Sequence, residues 1–134
     1  MGGRRKAREL ALQALYLHDN LGFDREEAWQ KAVSKFKAGK KIIEYGRFLF
    51  DGVLREREGL DLKINKYSKD WEISRMNVVE RNILRIATFE ILYSDTPVKV
   101  SIDEAIEISK TYSTESARKF INGVLDKIAK EKYD

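Results

Sequence analysis

Residues 77–94 read Asn-Val-Val-Glu-Arg-Asn-Ile-Leu-Arg-Ile-Ala-Thr-Phe-Glu-Ile-Leu-Tyr-Ser, and this stretch decides the fold class. Wound into a helix, it has apolar side chains on most sides, which is typical of the most buried helix of an all-α protein. Glu90 interrupts the apolar pattern, so its carboxylate needs a hydrogen-bond donor if it is buried. Glu80, Arg81 and Arg85 mark the polar side of this helix, where we expect a partner protein to dock.

The chain before this stretch follows the same helical period. The pattern predicts a first helix over about residues 4–19 and a second one that begins after an N-cap at Asp24 and closes at Gly39. A third, long helix is predicted from residue 40 to about residue 67, with Gly59 as a point where it can break.

The chain after the stretch predicts two more helices. Residues 68–74 are predicted to form a turn before the central helix, and Pro97 forces an extended connection after it. Ser101–Glu104 has the spacing of a capping box and predicts a helix start at Ser101. The last helix is predicted over about residues 115–131. The pattern therefore predicts six or seven helices joined by short loops in a compact, all-α helical bundle.

Length and composition favour one domain without catalytic machinery. The 134 residues fit a single domain, residues 1–134, with approximate halves 1–68 and 69–134. The chain has no Cys and one His, His18, so thiolate nucleophiles, cysteine-ligated metals and multi-histidine sites are excluded or hard to build. No glycine-rich phosphate loop indicates a nucleotide cofactor. We expect no enzyme activity, catalytic residue, metal or cofactor, and a cytoplasmic protein, because no secretory or membrane-spanning segment is evident.

The net charge of +4 is modest, but its distribution is uneven. Arg4, Arg5, Lys6 and Arg8 concentrate positive charge at the amino terminus. Arginine and lysine neutralise phosphates, and arginine also stacks on exposed bases, so this cluster fits RNA. A solubilising basic terminus is the alternative that the cluster alone leaves open.

A face of the last helix adds a second candidate RNA surface. At 100° per residue, Ser116, Lys119 and Phe120 fall on one flank, together with Gly123 and Lys127. An aromatic ring bordered by cations suits a stacked base. The alternative is a phenylalanine at the edge of the core with lysines as its solvated rim. Tyr16 lies away from the apolar stripe of the first helix and either packs on a neighbouring helix or faces a ligand.

Four blocks of sequence are similar to the NusB family of transcription antitermination factors. In chain order they are Arg4–Glu9 with Gln13–Tyr16, Val79–Ala87 with Glu90–Leu92, Pro97 with Val100–Glu107, and Lys119–Asp126. Together the blocks bracket nearly the whole chain. Their order and separations make the resemblance specific, whereas residues 20–68 are not diagnostic.

The resemblance implies two packed three-helix bundles and a non-enzymatic role. Members of this family bind the boxA element of nascent ribosomal RNA leaders together with NusE, a small-subunit ribosomal protein, and help RNA polymerase pass terminators. The RNA-contact residues that the resemblance implies are Arg4, Arg5, Lys6, Arg8, Tyr16, Ser116, Lys119 and Phe120. The NusE-facing helix includes Glu80, and Arg81 follows it. Ser116 stands where a relative can have Asp, and it lacks that carboxylate.

Two other functions fit parts of the pattern. One is a NusB-like accessory domain of a ribosomal RNA modification system, which presents RNA to a methyltransferase domain. No parallel-strand pattern of such a catalytic domain occurs in this sequence. The other is a protein-interaction bundle whose basic terminus only aids solubility. Salt separates this last alternative from RNA binding, because phosphate contacts weaken steeply as salt rises.

Overall fold

The computed structural model describes residues 2–69 and 71–133, which contain six α-helices and one 3₁₀ helix. The α-helices are α1 (Gly2–Asp19), α2 (Arg25–Lys35), α3 (Lys40–Ser68), α4 (Val78–Tyr93), α5 (Val98–Tyr112) and α6 (Glu115–Tyr133), and the 3₁₀ helix is Ile73–Arg75. The predicted all-α fold class is confirmed. None of the helices in the described ranges is long and apolar enough to cross a membrane.

The helices form two groups of three. α1 packs against α2 and α3, α4 packs against α5 and α6, and the two groups meet where α1 and α3 contact α4. Every α-helix contributes side chains to one continuous hydrophobic core. The two predicted three-helix bundles therefore share a core.

α4 is the buried centre of the fold, as its sequence predicts. Every residue from Asn82 to Ile91 is buried. Asn77 caps the amino end, because its side-chain oxygen accepts a hydrogen bond of 2.8 Å from the Glu80 amide. The ring of Phe89 packs directly against Gly52 of α3, where a methyl group would overlap the ring. This close approach presses α4 onto α3.

The helix boundaries confirm most of the predicted ones and correct three. Asp24 is the N-cap of α2 as predicted, accepting a hydrogen bond from the Glu26 amide. However, α2 ends at Lys35 rather than near Gly39. α3 passes through Gly59 without a break. The third correction concerns α5.

The predicted capping box at Ser101 is wrong. α5 begins at Val98, three residues earlier, with Pro97 as its N-cap. The Pro97 carbonyl accepts the first helical hydrogen bonds, and proline needs no amide donor at a helix start. Ser101 instead lies inside the helix on the buried stripe. A helix begun three residues earlier turns Ser101 inward, where it cannot cap.

Candidate nucleic-acid interface

Arg4, Arg5 and Lys6 lie on the surface of the first turns of α1. Arg5 Nε and Nη2 donate to the two carboxylate oxygens of Glu104 on α5, at 2.8 and 2.9 Å. This hydrogen-bonded ion pair holds the pKa of Glu104 below its ordinary value, although partial burial acts against it. The exposed cations therefore lie beside the Glu104 carboxylate, which is already hydrogen-bonded to Arg5.

Arg4 is held by an aromatic ring and a hydroxyl. Its guanidinium lies 4.1 Å from the centroid of the Tyr45 ring, and Nη1 donates to Thr96 Oγ1 at 3.1 Å. The Tyr45 hydroxyl in turn donates to the carboxylate of Glu90. Burial and this anionic acceptor raise the pKa of the Tyr45 phenol. Arg4 is thus pre-positioned on α1 by contacts with α3 and with the loop after α4.

Arg8 does not belong to the exposed cluster, so the expected surface group of four cations is reduced to three in the folded chain. Its side chain is 3% exposed, and Nε and Nη2 donate to both carboxylate oxygens of Glu90 at 2.8 and 3.0 Å. The expectation that buried Glu90 has a donor partner is confirmed by the same contact. Arg8 fastens α1 to α4 and so positions Arg4 and Arg5.

Tyr16 faces a groove rather than the core. It is 36% exposed and lines an apolar cavity of about 350 Å³ between α1, α2, α4 and α5. Leu12 and Tyr112 are among the other lining residues. Of the two alternatives for Tyr16, this position fits the one in which the ring is available to a ligand. Contact with RNA stays a prediction.

The candidate face on α6 consists of two exposed side chains and one half-buried ring. Ser116 and Lys119 are exposed, while Phe120 is partly buried against the core. The Phe120 ring lies 4.6 Å from the ring of Trp71, centroid to centroid, at an interplanar angle of 54°. Trp71 is also only partly buried. The two rings form an edge of the core that remains partly open to solvent.

α5 lies between the two basic surfaces. Its Glu104 pairs with Arg5, and its Glu107 lines an open groove of about 620 Å³ with Arg118 and Lys119 of α6. Lys110 hydrogen-bonds to Glu107 and lowers the pKa of that carboxyl. The amino-terminal and carboxy-terminal candidate residues therefore both border α5, next to the neighbouring carboxylates of Glu104 and Glu107.

Glu80, Arg81 and Arg85 form the polar side of α4 as predicted, but most of this side is buried within the fold. Glu80 is buried and accepts a hydrogen bond of 2.8 Å from the Ser113 hydroxyl. Arg81 donates to both oxygens of Asp19 at 2.8 and 2.9 Å, and buried Arg85 donates to Asp19 and Asp61. These charges are used within the fold to join α4 to the end of α1 and to α3. Arg81 retains partial exposure, with 19% of its side chain accessible.

A model of the NusB family matches residues 5–130, which include most of the described structure. The chain belongs to the NusB family. Among its relatives, the transcription antitermination protein NusB of Elusimicrobium minutum is 44% identical over 140 residues, covering 98% of this chain and 96% of the relative. The NusB of Desulforamulus reducens is 43% identical over 131 residues, covering 97% of this chain and 92% of the relative.

Solved structures give the same result for this NusB-family chain. Crystalline T. maritima NusB superposes with a TM-score of 0.86 at 39% identity, covering 96% of this chain and 91% of that one. A chain from the crystal structure of the antitermination factors NusB and NusE in complex with double-stranded RNA superposes with a TM-score of 0.88 at 32% identity. That match covers 98% of both chains.

Sequence reasoning about this NusB-family chain missed two aromatic residues next to the candidate sites. Trp71 falls in the predicted turn, and its contact with Phe120 joins residues 49 positions apart along the chain. Tyr45 lies in the region that the family blocks do not cover. An aromatic residue inside a polar turn was the available signal for Trp71, whereas nothing local indicated that Tyr45 meets Arg4.

Proposed function

We propose that this chain is a transcription antitermination factor that, together with NusE, binds boxA-type single-stranded RNA in nascent ribosomal RNA transcripts and helps RNA polymerase pass terminators. Its role is non-catalytic, and it acts in the cytoplasm, where these transcripts are made. The exposed Arg4, Arg5 and Lys6 on an otherwise NusB-like fold carry the proposal. The solved complex of a NusB relative with NusE and double-stranded RNA supports NusE and RNA as partners.

The central step of the proposed RNA contact is the replacement of the Glu104 carboxylate by an RNA phosphate at Arg5. Arg5 presents two donors that engage the Glu104 carboxylate in the free protein. A phosphate has the same charge sign and can accept the same pair of hydrogen bonds, so it competes with Glu104 for the guanidinium. Lys6 adds charge beside it, its ammonium lying a long 3.5 Å from the Lys37 carbonyl. The exposed cations thus give affinity without sequence discrimination.

Base recognition is assigned to two aromatic residues outside this basic cluster. Tyr16 and Phe120 each present a partly accessible ring, and Ser116 and Lys119 lie next to Phe120 in the same helix turn. Unpaired bases stack on such rings while nearby cations hold their phosphates. Arg8 takes part only through Glu90, by fixing the helix that carries Arg4 and Arg5.

We place the NusE-binding surface near the amino end of α4. The predicted residues Glu80 and Arg81 contribute less to it than the sequence suggests. Arg81 retains one partly accessible edge, whereas Glu80 stays buried beside Ser113. Glu80 therefore supports the shape of this surface rather than supplying a charge to NusE.

The test is a fluorescence-anisotropy titration of boxA RNA and of a scrambled RNA, with and without NusE, at several salt concentrations. We expect boxA to bind preferentially, more tightly with NusE, and with a salt slope of about −2 if three cations each neutralise one phosphate of a single strand. Equal affinity for both RNAs, or affinity that does not change with salt, contradicts the proposal. Retained NusE binding in that case indicates a protein-interaction bundle.

A further inference from the structure

A row of aromatic rings crosses the surface where α3 meets α4. Successive ring centroids are 5.6 Å apart for Tyr45 and Phe48, 5.3 Å for Phe48 and Phe89, and 5.3 Å for Phe89 and Tyr93. Phe89 is fully buried, but Phe48 and Tyr93 are 41% and 51% exposed. We call these four residues the aromatic row. The candidate interface described above does not use Phe48 or Tyr93.

The exposed rings are held in place from beneath. The Tyr93 ring is stacked on Phe89 with an interplanar angle of 28°, and Phe89 is itself fixed by its packing against Gly52. Because Tyr93 is half exposed while one face rests on Phe89, its other face is open to a ligand. A rigid ring with one free face stacks with little loss of conformational entropy.

Cations are interleaved with the aromatic row. The Arg4 guanidinium covers Tyr45, and the Arg55 guanidinium lies 6.0 Å from the centroid of Phe89. Lys41 lines an open groove of about 520 Å³ together with Arg4 and Phe48. Glu44 lines the same groove and is its acidic member. Exposed rings alternating with cations are the arrangement by which proteins hold unpaired nucleic acid without reading its sequence.

The aromatic row is continuous with the amino-terminal cations, because Arg4 belongs to both. From Lys41 to Arg55 the stripe along α3 extends for about 21 Å, at 1.5 Å per residue. We propose that the aromatic row is a second RNA-contact surface, which binds unpaired nucleotides that flank the boxA segment by stacking bases on Phe48 and Tyr93. This inference rests on the proposed function and extends the path of the RNA beyond the first turns of α1.

Charge favours RNA over a protein as the ligand of the aromatic row. Lysine is depleted at the cores of protein interfaces. Three cations, Arg4, Lys41 and Arg55, lie beside the four rings. Arg55 pairs with Glu56, whereas Lys41 forms no ion pair with any residue in the described ranges. Phosphates satisfy such cations at regular intervals along a strand.

The test compares a minimal boxA RNA with the same RNA extended by five uridines at its 5′ or its 3′ end. Wild-type protein should bind one of the extended RNAs at least about fivefold more tightly than the minimal RNA, since removing one stacking ring costs at least that factor. The double variant F48L/Y93L keeps apolar contacts but removes the rings, so it should lose this gain and bind the minimal RNA normally. Tyr93→Phe, the matched control, should retain the gain.

The outcomes separate this inference from the proposed function. Equal binding of minimal and extended RNAs by the wild type, or an undiminished gain in F48L/Y93L of unchanged melting temperature, overturns the aromatic row as an RNA surface and leaves boxA binding intact. If F48L/Y93L instead loses NusE binding but keeps the gain, the row is a protein site and the inference is wrong. Failure of the wild type to bind even minimal boxA RNA overturns both.

Discussion

Arg8 and Glu90 form a bidentate ion pair, with N–O distances of 2.8 and 3.0 Å, although they are 82 positions apart and are 3% and 0% exposed. Two charges removed from water in this way are tolerated only as a pair, because the partner left behind by a mutation has no solvent to stabilise it. The Tyr45 hydroxyl also donates to Glu90, so the carboxylate has donors from two helices. The pair ties the amino-terminal helix to the centre of the fold.

Arg8→Ala should therefore act mainly on stability. We expect the free energy of unfolding to fall by about 3–5 kcal/mol, because Glu90 is left buried with an incomplete set of donors. Urea unfolding followed by circular dichroism measures this loss. The double variant R8M/E90M, which removes both charges, should recover much of it. A loss below about 1 kcal/mol for Arg8→Ala, with a large loss of RNA affinity, would restore Arg8 to the RNA surface.

Glu104→Gln should raise RNA affinity severalfold. The substitution removes the anion that engages Arg5 in the free protein, so a phosphate no longer has to displace it. Arg5→Ala should do the opposite and reduce the magnitude of the salt slope by about 0.7, the value for one phosphate contact on a single strand. Anisotropy titrations at several salt concentrations measure both effects. Glu27→Gln, an exposed charge on α2, is the matched control. Lower affinity in Glu104→Gln contradicts the exchange of carboxylate for phosphate.

The sequence predicts the fold well where the apolar pattern itself decides the packing. α4 is apolar on most sides, and it lies at the centre for that reason. Four cations in five positions favour one surface cluster, and that prediction is wrong for Arg8. Its helical phase is that of Leu12 and Leu15, which are also buried, so the signal was present. The contact that buries Arg8 comes from Glu90, and sequence separation hides that partner.

In the candidate site, too, the sequence predicts features that depend on one helix and misses contacts between residues far apart along the chain. Exposure of Arg4 and Arg5 follows from their place at a helix start, and the helical phase of Phe120 predicted its half-buried position. Trp71 was not identified, because its neighbour Phe120 lies on a helix 49 residues later. The aromatic row was also hidden, since it joins α3 side chains to α4 side chains across Gly52. Contacts between helices determine these surfaces, and the hydrophobic period of a single helix does not predict such contacts.

Asp19 should give the protein a stability component that is lost in acid. Burial acts to raise its pKa and is the largest single influence. Hydrogen bonds from Arg81 and Asn82 and the charge of Arg85 together outweigh it and lower the pKa to about 2 from 3.8. A carboxyl whose pKa falls on folding stabilises the protein above its unfolded pKa, and this contribution disappears as pH falls from about 4 to about 2.

Asp19→Asn should thus lower the free energy of unfolding by about 1–2 kcal/mol at pH 6, after allowance for solvent screening, and by progressively less towards pH 2. Urea titrations across this pH range measure the difference between the variant and the wild type. Asp126→Asn, an exposed carboxyl on α6, is the control. A difference that stays constant between pH 6 and pH 2 contradicts the assignment.

Gly52 and Gly59 on α3 provide a matched pair of substitutions. A methyl group at Gly52 overlaps the ring of Phe89, whereas nothing lies within 4 Å of one at Gly59. Gly52→Ala should therefore destabilise the protein by about 1–3 kcal/mol through overpacking. Gly59→Ala should stabilise it by about 0.5–1 kcal/mol through helix propensity. Chemical denaturation measures both, and equal effects of the two substitutions would show that Phe89 does not occupy the space above Gly52.

Phe120 and Trp71 should respond to RNA as one unit, because their rings are 4.6 Å apart and both are partly open to solvent. We expect Phe120→Ala to weaken boxA binding about fivefold or more, as expected for one lost stacking ring, and to affect affinity more than the melting temperature. Trp29 is buried, so a Trp29→Phe background leaves Trp71 as the one tryptophan and its fluorescence as the direct readout. Saturating boxA RNA should quench that fluorescence, and Phe120→Ala should reduce the quenching. Phe120 would belong to the core alone if RNA left the fluorescence unchanged and Phe120→Ala had normal affinity but a much lower melting temperature. A ring that contacts no base affects only the packing of α6 on the turn at Trp71.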